Sequence, residues 1–128
     1  MDTRTKILTA QQAVATAQRL QEAGRKVCAV TGYFDPLLAA HARRLAASRD
    51  HADVLIAVVC SPERPILAAR ARAELVAALA VVDYVVLAED GLVDALRGAG
   101  AAVERHEDLD EQITRELIAH VQRRHQGT

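Results

Sequence analysis

Two apolar runs constrain this chain more than any other feature: residues 26–31 (KVCAVT) and residues 53–60 (DVLIAVVC) contain long stretches with no alternation of apolar and polar positions. A strand with one wet face alternates, so an unbroken β-branched run predicts a strand covered on both faces. Helical segments fall where such a cover is needed. Residues 9–24 predict an amphipathic helix, with Thr9 as N-cap, Ala10, Ala13, Val14, Ala17 and Leu20 at helical spacing, and Gly24 as the stop. Residues 39–49 and 70–80 predict two more helices, and residues 83–88 (DYVVLA) a third strand. Helical crossovers between neighbouring strands are what parallel pairing requires. The fold class expected is therefore α/β, a Rossmann-like three-layer sandwich with a parallel sheet, forming a single domain over residues 1–128. Downstream, residues 90–97 read as a helix, residues 101–105 as a short strand, and residues 110–124 as a helix with Ile113, Leu117 and Val121 on one face. Asp108 and Asp110 fit an N-cap with acid in the first turn of that helix.

The charge balance narrows the function classes. Lys and Arg total 16, Asp and Glu 17, and the formal net charge is -1, so the chain has no overall field that would draw in nucleic acid or an anionic membrane. Aromatic residues make up 2%, too few for base-stacking platforms. No apolar run reaches the roughly 18 residues that span a bilayer, and the first residues lack the apolar core of a secretory signal, so a cytoplasmic protein is expected. Cys28 and Cys60 lie in strand-like runs and read as reduced core thiols, with no disulfide. The five histidines, His41, His51, His106, His120 and His125, have no metal-ligand spacing, and no metal site is expected.

In a doubly wound sheet, ligands bind beyond the carboxyl ends of the strands. The first such edge carries residues 31–45, TGYFDPLLAAHARRL. This segment resembles the signature of the cytidylyltransferase-like nucleotidyltransferases, G-x-F-D-x-x-H-x-G-H, with Gly32, Phe34, Asp35 and His41 in register. The resemblance runs over about residues 6–90 and includes Cys60-Ser61, Arg64-Pro65-Ile66 and RAELVAALAVVDYVVLAED at residues 72–90. In pattern it is nearest to the adenylyltransferase domain of bifunctional heptose-phosphate enzymes and to glycerol-3-phosphate cytidylyltransferase.

The resemblance implies transfer of CMP or AMP from CTP or ATP to a small phosphorylated acceptor, with release of pyrophosphate and Mg2+ as cofactor. Such chemistry needs donors that hold the phosphates in line and neutralise charge growing on the α-phosphate and leaving group. It implies His41 as the catalytic residue and Thr31, Gly32, Tyr33, Phe34, Asp35, Arg64 and Arg72 as nucleotide-binding residues. From the residues alone, other readings stay open: Asp35 as a turn carboxylate on backbone amides, Phe34 as packing beneath the loop, and Arg64 and Arg72 as solvated cations. As a pocket residue at a loop-to-helix edge, His41 should contribute little to the core.

The chain departs from the pattern where phosphates are held. Leu38 replaces the first histidine and Ala40 the glycine, and between the second apolar strand and Arg64 only Ser61-Pro62-Glu63 intervenes, leaving no counterpart for a phosphate-reaching lysine. Near the C-terminus, RHEDLDEQ (residues 105–112) either aligns loosely with the family's last phosphate-binding segment, placing Asp110 and Glu111 at its hydroxyl positions, or that segment is missing. Three functions follow as alternatives: a nucleotidyltransferase-fold protein with a degenerate site acting as a ligand-binding or interaction module, a divergent active transferase, or a different enzyme on the same fold. The expected partners are a nucleotide or small phosphorylated molecule and a second copy of the chain, with no nucleic acid or membrane; Mg2+ is expected only if catalysis survives.

Overall fold

The computed structural model describes residues 2–126, and its five strands form one parallel sheet. After a 3-10 turn at Thr3–Lys6, the chain runs β1 (Ile7–Leu8), α1 (Ala10–Glu22), β2 (Val27–Gly32), α2 (Ala39–Arg49) and β3 (Val54–Val59). It continues through α3 (Ala69–Ala77), β4 (Tyr84–Leu87), α4 (Leu92–Gly98), β5 (Ala102–Arg105) and α5 (Glu107–Gln126). The spatial order is β1-β4-β3-β2-β5.

All six residues of β2 and all six of β3 are buried, which is the physical content of their unbroken apolar runs. Their side chains alternate between two cores. Val27, Ala29, Val54, Ile56 and Val58 pack with Ala13 and Ala17 of α1 and Leu92 and Leu96 of α4. Cys28, Val30, Leu55, Ala57 and Val59 pack with Leu45 of α2 and Ala73, Val76 and Ala77 of α3. Alanines on α1 and α3 let these helices lie close to the sheet.

Local signals behave as their chemistry requires. Thr9 caps α1 through a reciprocal pair: its hydroxyl accepts from the Gln12 amide at 3.1 Å, and the Gln12 side chain accepts from the Thr9 amide at 2.9 Å. Gly24 sits at φ 78°, in the left-handed region that favours glycine after a helix.

Three expectations need correction. Residues 83–88 contain the fourth strand of the chain, because Ile7–Leu8 adds an edge strand beside β4 that is too short to show periodicity. The last helix starts at Glu107, so Asp108 and Asp110 lie within its first turn and neither is its N-cap. Arg72 is not a solvated cation: it is fully buried.

The strand order positions the site. The chain winds from β2 to β3 to β4 in one direction, and α4 then carries it across to β5 on the other side of β2. The crossover leaving β2, α2, covers one face of the sheet and the crossover arriving at β5, α4, covers the other, and the loop after β2 meets the start of α5 at the carboxyl ends of these neighbouring strands. No helix among the described residues is long and apolar enough to cross a membrane.

Candidate functional site

The crevice is built from the loop after β2, the first turn of α2 and the first turn of α5. Phe34 adopts φ 49°, an uncommon backbone conformation for a non-glycine residue, and its ring is buried beneath the loop. This turns the Tyr33 and Phe34 amides toward α5. Asp110 Oδ2 accepts from the Tyr33 amide at 2.8 Å and lies 3.5 Å from the Phe34 amide. Gly32 is required here by contact: a Cβ at this position would collide with Asp110 Oδ2 and with the Phe34 ring.

His41 stands at the third position of α2, 1% exposed, with its ring edge-on to Phe34 at a centroid distance of 6.0 Å. Its Nδ1 accepts from the Leu38 amide at 2.9 Å, satisfying one of the orphan donors at the start of α2. The neutral ring therefore carries its proton on Nε2. Nε2 lies 3.2 Å from Asp110 Oδ1, without the alignment of a full hydrogen bond. Arg44, one turn further along α2, donates through Nη2 to the same Oδ1. His41 thus does hold structure together, contrary to the expectation of a dispensable pocket side chain.

Asp110, 1% exposed, receives contacts from both loop amides, the imidazole and the guanidinium. Burial pushes its carboxyl upward, but the contacts of His41 and Arg44, with the Tyr33 amide, outweigh burial and hold it below the ordinary carboxylate range. Sequence reasoning singled out Asp110 as a helix-start acid and missed Arg44 altogether. An acid in a first turn is ordinary, and nothing local marks one whose partners lie on another strand's loop.

The remaining sequence-selected residues divide. Thr31 and Gly32 end β2 at the floor of the crevice, the Thr31 hydroxyl buried without a hydrogen-bond partner. Tyr33 borders an open cleft of about 320 Å³ with Asp35, Pro62, Ile66, Glu111, Thr114 and Arg115. Burial and the carboxylates of Glu111 and Glu107 push the Tyr33 phenol upward. Asp35 directs its carboxylate away from the crevice, accepting from the Ile66 amide at 2.6 Å and the Leu67 amide at 2.8 Å. Arg72 clamps the same loops from beneath: it donates to the carbonyls of Leu67 (3.0 Å), Tyr33 (2.9 Å) and Cys60 (2.6 Å) and to the Ser61 hydroxyl (3.0 Å). Arg64 is exposed.

Cys28 and Cys60 are free thiols. Burial pushes both up to about 11, with help from Glu104 at Cys28 and Glu107 at Cys60. Among the described residues no three His, Cys, Asp or Glu side chains converge as a metal site; the His125 side chain lies outside the described residues. The crevice donors are two amides, an imidazole N–H and a guanidinium, while the carboxylates of Asp35 and Asp110 are already engaged. Such a set fits an oxyanion.

A five-stranded parallel sheet covered by helices, with a crevice at the carboxyl ends of β2 and β5, defines a Rossmann-like α/β domain. Comparison with known proteins agrees. The chain is 39% identical over 85 residues, 59% of its length, to the bifunctional protein HldE of Sulfurimonas denitrificans, and it spans 18% of that protein. Its fold matches the crystal structure of the lipopolysaccharide core biosynthesis protein from Thermoplasma volcanium with a TM-score of 0.53 and 22% identity, covering 64% of this chain and 94% of that one. No family model matches the chain. The solved structure shows the shared fold, and the match to HldE falls in part of that protein's length.

Proposed function

We propose that this chain is a nucleotidyltransferase-fold protein with a degenerate site, impaired in catalysis and acting as a ligand-binding or interaction module. The observation that carries the reading is the engagement of His41: Nδ1 is held by the Leu38 amide, Nε2 faces Asp110, and the ring is buried. A transition-state donor must reach the charge that develops on substrate, and here the Asp110 carboxylate stands 3.2 Å in front of that nitrogen. Leu38 supplies only an apolar side chain where the family pattern has its first histidine, and loss of one such preorganised donor typically removes about 2.7–4 kcal/mol of transition-state stabilisation. The two protonated thiols fit a reducing, cytoplasmic setting.

The test is pyrophosphate release from CTP and from ATP, with Mg2+ and with glycerol phosphate or sugar phosphates as acceptors. Background release is the expected result. Turnover on the order of one per second, abolished by His41→Ala, overturns the reading.

A further inference from the structure

Helix α5 is 20 residues long, yet none of its residues belongs to either hydrophobic core. Among its described side chains Asp110 alone is buried, while Leu109, Ile118 and Val121 are exposed. The polar ties of the helix are the Asp110 carboxylate pushed into the crevice, the Thr114 hydroxyl donating to the Asp35 carbonyl at 3.0 Å, and the Cys60 thiol donating to Glu107 at 3.5 Å. Hydrophobic burial, the usual reason for a helix to dock, is limited here to the half-buried Ile113, Leu117 and Ala119.

The carboxylate has found a site with the properties of an oxyanion cradle. Two consecutive loop amides, an imidazole N–H and a guanidinium converge on its two oxygens. Two further guanidinium nitrogens of Arg44, Nε and Nη1, are buried without a hydrogen-bond partner, so the cradle holds more donor capacity than one carboxylate uses. A phosphate offers more acceptor oxygens than a carboxylate in the same space. We propose that Asp110 is an internal competitor for a phosphate-bearing ligand: α5 plugs the cradle, and a phosphate opens the site by expelling the Asp110 carboxylate and releasing the helix. This deepens the functional reading above and rests on it, since a site closed by its own chain binds phosphate weakly and turns over little.

A tethered competitor lowers apparent affinity by the fraction of molecules in which the cradle is free. Asp110→Asn keeps the shape and removes the charge, so the variant should bind inorganic pyrophosphate about tenfold or more tighter than wild type by calorimetry. The Tyr33 and Phe34 amide resonances should shift on binding. Equal or weaker affinity in the variant overturns the proposal and leaves Asp110 as an anchor only. If Asp110→Asn fails to fold, the wild type decides: excess pyrophosphate should accelerate amide hydrogen exchange along Glu107–Gln126, and unchanged exchange there overturns the proposal. Pyrophosphate release by the wild type would sink the inactive reading but not the competition, which these binding measurements decide separately.

Discussion

Replacement of Arg72 by methionine keeps the apolar stem and deletes the guanidinium, which makes it a direct measure of how the crevice is supported. Arg72 is fully buried on α3 and all four of its acceptors are neutral: three carbonyls and a hydroxyl drawn from the β2 loop, the end of β3 and the loop before α3. Ser61 and Leu67 belong to a loop that can recover water in the variant, so the bonds to Tyr33 and Cys60 set the magnitude. At roughly 1.5–3 kcal/mol for each hydrogen bond from a charged donor, their loss amounts to about 3–6 kcal/mol. A domain is typically stable by about 5–15 kcal/mol, so the variant should be marginal. Arg72→Lys, which can keep one of the two bonds, should lose about half as much. Urea unfolding followed by circular dichroism measures both, with Arg70→Met as a control because Arg70 is exposed and makes only a 3.5 Å contact with Glu74. A loss below about 1 kcal/mol for Arg72→Met would refute the clamp. Native stability with lost nucleotide affinity in Arg72→Lys would instead return Arg72 to the ligand site.

Leu55→Ala, at a fully buried position of β3, should lower stability by about 2–5 kcal/mol through the cavity it leaves, measured by the same denaturation. His41→Ala strips the Leu38 amide of its acceptor and Asp110 of one contact, and should lose about 1–3 kcal/mol; a neutral result would mean that the ring does not brace the crevice. Asp110 has a folded pKa lowered from its ordinary 3.8, so its stabilising contribution is fully present above that value and is lost as pH falls through the lower folded value. Acid titration of wild type against Asp110→Asn should show that contribution only in the wild type, and superimposable acid limbs would contradict the assignment.

Much of the architecture was legible because burial on both faces is written into the strands themselves. Residues 26–31 and 53–60 cannot serve as half-exposed strands, residues 39–49 carry the helix found at Ala39–Arg49, and the Thr9–Gln12 pair needs only its own neighbours to form. The edge strand Ile7–Leu8 was not legible, since two residues carry no period and their pairing partner is β4, far along the chain. The loop Gly32–Asp35 and His41 could be singled out from sequence, and the fold brings Phe34 and His41 together. What those residues touch was decided only in three dimensions. Asp35 turned to the Ile66 and Leu67 amides, Arg72 went inward beneath the loops, and Asp110 met the Tyr33 amide across 77 positions of sequence. Apolar patterning records whether a position is wet or dry, because each residue contributes to it independently. A buried charge is tolerable only where particular donors converge, and that convergence is created by the strand order that brings the end of β5 beside the end of β2.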